Sequence, residues 1–109
     1  MDSQHTERGI RSMNNALLSI QILPKTQAGE SVIPYVDQAI SIIQQSGVKY
    51  LVGPLETTME GDLDELLAIV KRMNEAMIAI GCPGVLSQIK ISYNPIQGAS
   101  MDRLTEKYR

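Results

Sequence analysis

From residue 16 the chain reads ALLSIQILP, in which Leu18, Ile20 and Ile22 alternate with Leu17, Ser19 and Gln21. A period of two gives a strand with one apolar and one mixed face, ended here by Pro24. After the polar connection KTQAGES, Val36, Ala39, Ile40 and Ile43 recur at helical spacing. Pro34 suits the first turn of that helix, and Gly47 stands where a left-handed C-terminal cap needs glycine. VKYLVGP is a short run of β-formers closed by Gly53-Pro54, and ETTME extends directly after it. The connection is too short for a crossover, so these two strands are expected to be antiparallel. Asp62 followed by Glu65 reads as a capping-box-like start for a second helix. Leu63, Leu66, Leu67, Val70 and Met73, with Met77 and Ile80 beyond, form its apolar side until Gly81 and Pro83 stop it. VLSQIKISY, residues 85–93, alternates again. A short terminal helix is expected after Ser100, with Met101, Leu104 and Tyr108 on one side.

The order β-α-β-β-α-β plus a terminal helix is the split βαβ, ferredoxin-like pattern of an α+β sandwich. Right-handed crossovers place both helices on one face of a four-stranded antiparallel sheet. They are expected to cover Leu18, Ile20, Ile22, Ile89 and Ile91. The open face then carries Leu17, Leu23 and Leu51 among Ser19, Gln21, Gln88 and Lys90. A half-apolar sheet face packs on another sheet more readily than it faces water, and polar residues in such an interface can line a small ligand site. Self-association, at least to a dimer, is therefore expected.

Composition narrows the field. The chain has 109 residues, enough for one domain, read as a disordered leader over residues 1–14 and a folded domain over 15–109. The leader is polar, lacks the apolar core of a secretory signal, and contains His5 and an alternative start at Met13. A net charge of −2 disfavours a nucleic-acid partner. The lone cysteine, Cys82, allows no intramolecular disulfide, and no apolar run reaches the roughly 18 residues of a membrane span. A cytoplasmic protein without nucleic-acid or membrane partners is the expectation.

The chemistry-bearing residues are few. No His, Cys, Asp or Glu cluster has metal-ligand spacing, and Cys82 has no base nearby, which makes it a buried loop thiol. The glycines of residues 53–61 lack the lysine and spacing of a phosphate loop. Asp62, Asp64 and Glu65 would repel a phosphate at the helix start, so a neutral or cationic ligand suits that corner better. Thr57 and Thr58 are either ordinary β-branched strand residues or hydroxyls presented to a ligand. Met73 and Met77 belong to the core, and Lys71 and Arg72 to a solvated helix face.

LSIQILP, KYLVGPLETTMEGDLDELLAIV and the closing LTEKYR resemble the small thiamine-binding, YkoF-like family, from about residue 16 to the C-terminus. The segment VGP-x-x-TT-x-EGD is the most specific part. The resemblance implies a ferredoxin-like fold, sheet-to-sheet dimers that pair into tetramers, and no catalysis. It also implies thiamine, or its hydroxymethylpyrimidine moiety, as a ligand rather than a cofactor. Matching positions are Ser19, Pro24, Tyr50, Gly53, Pro54, Thr57, Thr58, Glu60 and Gly61. Leu51 departs from the glutamate that members often carry there, which implies that this chain binds either the pyrimidine alone or thiamine more weakly. The expected ligand-binding set is Ser19, Gln21, Thr57, Thr58, Glu60 and Gln88. The function so implied is non-catalytic cytoplasmic binding at or near an oligomer interface. The alternative is a regulatory or protein-interaction module that assembles through its open sheet face. An enzyme ranks third, because no acid-base pair or partnered nucleophile can be named.

Overall fold

A computed structural model describes residues 14–108. The elements are β1 (Ala16–Pro24), α1 (Ile33–Ser46), β2 (Lys49–Val52), β3 (Thr57–Gly61), α2 (Leu63–Ala79), β4 (Val85–Tyr93) and α3 (Met101–Thr105), which runs on into a 3-10 turn. The sheet order is β2-β3-β1-β4, with every neighbouring pair antiparallel. This is the expected ferredoxin-like fold. Pro34 lies in the first turn of α1, and Gly47 closes that helix at φ 85°, where a side chain would be strained. The expected leader, with His5 and Met13, lies outside the described residues apart from Asn14.

One face of β1 and β3 supplies Leu18, Ile20, Ile22 and Met59 to the core, where Ala39, Ile43, Leu66, Ile69, Met73 and Met77 of the helices meet them. Burying a leucine, isoleucine or methionine in such a cluster contributes about 1.5–3 kcal/mol. Cys82 is buried at its edge, in the loop after α2. Ile89 and Ile91 share this face but remain 40% and 44% exposed, so the helices cover less of the sheet than the alternation suggests. The buried cluster is built on the central strands, and from the outer strand β4 only the partly buried Val85 packs against it.

Two local corrections bear on the site. Asp62 holds the N-cap position of α2 in extended conformation, but its side chain makes no cap hydrogen bond. Asn15 supplies it instead: its Oδ1 accepts from the Leu63 N–H at 2.9 Å, and its Nδ2 donates to Asp62 Oδ1 at 3.0 Å. The second correction concerns the C-terminal arm. Ser100 caps α3 as expected, accepting from the Arg103 N–H at 3.1 Å. Leu104 and Tyr108, however, are exposed, and only Met101 of the expected apolar side is buried. The arm folds back on the open sheet face, where Ala99 and Met101 cover Leu17. The Ala99 N–H donates to the Asn14 carbonyl at 2.8 Å, and Asp102 pairs with Lys49. Leu17 is thus buried by its own chain and is not part of the free face.

Candidate functional site

Strand register places the open-face residues in rows. Leu17 lies between Glu60 and Ser92, and Ser19 between Thr58 and Lys90, with Leu51 beyond Thr58. Gln21 faces Gln88, and Leu23 faces Leu86. β1 pairs with β4 along its whole length but with β3 only from Ala16 to Ile20. Past Ile20 the chain beside β1 is the tight turn that joins β2 to β3. There the Gly53 N–H donates to the Glu56 carbonyl at 2.9 Å. A Cβ on Gly53 would stand 2.9 Å from that same carbonyl oxygen, closer than side-chain carbons approach, so glycine is needed here. The turn holds Glu56 at the head of β3, in step with Thr58 and Glu60 on the open face.

Glu56 is the polar centre of this region. The Ser19 hydroxyl donates to its Oε1 at 2.7 Å, and the Lys90 ammonium donates to its Oε2 at 3.1 Å. The hydroxyl first and the ammonium second hold its carboxyl below the ordinary glutamate range. A cavity of about 550 Å³ opens here, lined by Gln21, Leu55, Glu56, Gln88, Ile89 and Lys90. A smaller one of about 220 Å³ lies on the other side of Lys90, against Leu17, Ser19, Thr58 and Ser92. On the helix side of the same gap is a third cavity, also about 220 Å³, with walls from Val36, Ile40, Val52, Thr57 and Met73. It shares Gln21, Leu55 and Glu56 with the largest cavity. Thr57 is 5% exposed, and its hydroxyl has no hydrogen-bond partner among the described residues. A ligand atom that enters this cavity could pair with that hydroxyl, which can both donate and accept.

The expected ligand-binding residues therefore separate. Ser19, Gln21 and Gln88 gather around the Glu56 cavity or its carboxylate, and Thr58 lines the cavity across Lys90. Strand alternation turns Thr57 to the opposite side of the sheet, so the two threonines face different cavities. Glu60 lies at the far end of β3, and its carboxylate accepts from the Met101 N–H at 2.9 Å and from Asn14 Nδ2 at 3.0 Å. It anchors the C-terminal arm. Sequence reasoning assigned no site role to Glu56 or Lys90. The signal for Glu56 was the two-residue step from Thr58, which fixes the same face, and for Lys90 it was the alternation of β4. Asp62 lies just past the same end of β3 as Glu60, about 20 Å of extended chain from Glu56, and Asp64 and Glu65 follow it in the first turn of α2. The charges nearest the cavities are Glu56 and Lys90 instead.

The sequence profile of the family described as thiamine-binding protein matches residues 18–109. A UPF0045 protein of Clostridium perfringens is 43% identical over 97 residues, spanning 89% of this chain and 100% of that one. The solved structure of a domain of unknown function, DUF77, from Bacillus cereus is 40% identical and superposes with a TM-score of 0.84 over 91% of this chain and 94% of that one. A Thermotoga maritima protein named for a proposed part in thiamine biosynthesis or salvage is 29% identical, with a TM-score of 0.78 over 87% of this chain and 99% of its own.

Proposed function

The chain belongs to the thiamine-binding protein family, and on that premise we propose that it binds thiamine, or the hydroxymethylpyrimidine part of it, at the gap between β1 and the Glu56 turn. The observation that carries this reading is the buried Thr57 hydroxyl, without a hydrogen-bond partner among the described residues, on a cavity whose walls include Val36, Ile40, Val52 and Met73. A flat aminopyrimidine suits such a space. Its faces rest on apolar side chains, and its ring nitrogens and amine answer a hydroxyl that can both donate and accept. Gln21 offers its amide as a second partner, and Glu56 lines both this cavity and the open-face one, where a positive ring would emerge. Ser19, Thr58 and Gln88 line the outer space, while Glu60 serves the fold.

Self-association completes this reading. Leu23, Leu51, Leu55 and Leu86 remain 40–76% exposed around the outer cavity. A second copy laid on this face would bury them, and about 800 Å² per partner is the usual scale of a stable interface. The protein then acts in the cytoplasm as a dimer or tetramer that buffers or delivers the vitamin, without chemistry upon it. Ser19 is aimed at a carboxylate, with no histidine beside it among the described residues, which does not make a nucleophile.

Calorimetric titration with thiamine, hydroxymethylpyrimidine and thiamine diphosphate tests the reading. Thr57→Val keeps the branched shape and removes the hydroxyl, and should weaken binding about five- to tenfold, the equivalent of one lost hydrogen bond. If none of the three ligands binds, the exposed leucines instead favour an assembly module.

A further inference from the structure

We propose that the Lys90–Glu56 ion pair is a displaceable bar across the site, and that a ligand bearing one positive charge binds by taking the place of the Lys90 ammonium on Glu56. This rests on the reading just given and adds a rule for which ligands are chosen. Lys90 projects from β4 beside Ser19 and reaches over that row to the Glu56 carboxylate. It lines both open-face cavities, so its side chain stands between the space of about 550 Å³ and the space of about 220 Å³. Moving it aside joins them into one trough, where the charged ring of a ligand seated at Thr57 can lie against Glu56.

The exchange is cheap on the protein's side. The side chains of Lys90 and Glu56 are 77% and 35% exposed, and ion pairs so open to water are worth about 0–1 kcal/mol. A released lysine extends its stem and keeps its ammonium hydrated. Glu56 does not lose its aim, because the Ser19 hydroxyl still holds Oε1. The remaining lining side chains are uncharged: Gln21, Leu55, Gln88 and Ile89 on one side, and Leu17, Ser19, Thr58, Ile91 and Ser92 on the other. An arriving cation therefore finds one carboxylate and one competitor. A neutral single ring gains nothing by evicting the lysine. Among the residues lining the two spaces, a ligand with phosphates would meet no positive group other than the lysine itself.

The test is calorimetric titration of the full chain at pH 8 with thiamine, which is cationic, and with hydroxymethylpyrimidine, which is neutral. Lys90→Met should tighten thiamine about three- to fivefold and leave the pyrimidine within about twofold, because only the cation competes with the ammonium. Glu56→Gln, close in shape, should weaken thiamine about tenfold, the loss of one charge-assisted contact, with the pyrimidine again nearly unchanged. Weaker thiamine binding by Lys90→Met would make Lys90 a ligand contact and overturn the proposal. Equal losses for both ligands in Glu56→Gln would also overturn it. If Glu56→Gln does not fold, judged by its circular dichroism, the Lys90→Met result decides. A parent protein that binds the pyrimidine but not thiamine sinks the bar and leaves the functional reading intact. A parent that binds neither removes both.

Discussion

Replacing Glu60 by alanine should release the C-terminal arm while leaving the sheet folded. Both oxygens of this half-buried carboxylate are in use, one on the Met101 N–H at 2.9 Å and one on Asn14 Nδ2 at 3.0 Å. Hydrogen bonds to a charged group are worth about 1.5–3 kcal/mol each, and partial exposure places these at the low end. The arm keeps other holds: the Asn94 N–H on the Asn15 carbonyl at 2.7 Å, the Ala99 N–H on Asn14, and the packing of Ala99 and Met101 on Leu17. The strand itself is untouched, because the backbone of Glu60 stays paired between Leu17 and Lys49.

The expected loss is therefore local. The free energy of opening at the Met101 and Ala99 amides should fall by about 2 kcal/mol, which speeds their exchange with deuterated water roughly thirtyfold. Native-state hydrogen exchange reads both amides against those of β1, whose protection should change far less. Thiamine affinity should stay within about twofold, since the arm and the Glu56 cavity sit at opposite ends of β3. Unchanged exchange at Met101 would refute the anchoring role. A tenfold loss of affinity with the arm still protected would return Glu60 to the ligand set.

Asn15→Ala should lower stability by about 1 kcal/mol as a lost helix cap, and the melting temperature by about 4–8 °C, at fixed protomer concentration. Asp62→Ala should cost less, because its side chain only accepts one exposed hydrogen bond; equal losses would put the cap on Asp62 after all. The lowered carboxyl of Glu56 sets the sign of a pH effect. Whatever stability it contributes is present above the ordinary glutamate value of about 4.3 and goes as the pH falls through its lower, folded-state value. Ser19→Ala and Lys90→Met should each move the titration of Glu56, followed by NMR, upward, since the hydroxyl and the ammonium both hold it down; a variant that leaves it in place would contradict that cause. Leu51→Asp should dissociate the oligomer proposed above, read by light scattering, whereas Leu17→Asp should chiefly loosen the arm; a Leu17→Asp variant that dissociates with its arm intact would show that Leu17 is shared between copies.

How far the sequence foretold this molecule depends on what kind of information each feature needs. The helices and strands were legible because their signals are local: alternation in residues 16–24 and 85–93, a 3.6-residue stripe through Met73 and Met77, and glycine at 47. The two faces of the sheet were legible for the same reason, and Ser19, Gln21, Gln88 and Thr58 do lie on the open one. What periodicity does not carry is where along a face the chain later returns. Nothing near Leu17 in sequence announces that Ala99 and Met101 will bury it, nor that Glu60 will be occupied in holding them.

The same limit hid the helix cap. Asp62 is the right residue type in the right place, yet Asn15, 47 residues earlier, reaches the helix end first from the head of β1. Thr57 and Thr58 share a residue type and stand side by side, but adjacent residues in a strand face opposite sides. Applied strictly, that rule takes Thr57 off the open face and puts Glu56 on it. Glu56 then comes within reach of Ser19 and Lys90 because β3 stops pairing with β1 at Ile20. The gap left by that early parting gives one site a buried hydroxyl on its helix side and a carboxylate on its open side. On the reading proposed above, an uncharged ring and a charged one, linked together, are the ligand shape that such a gap would tell from others.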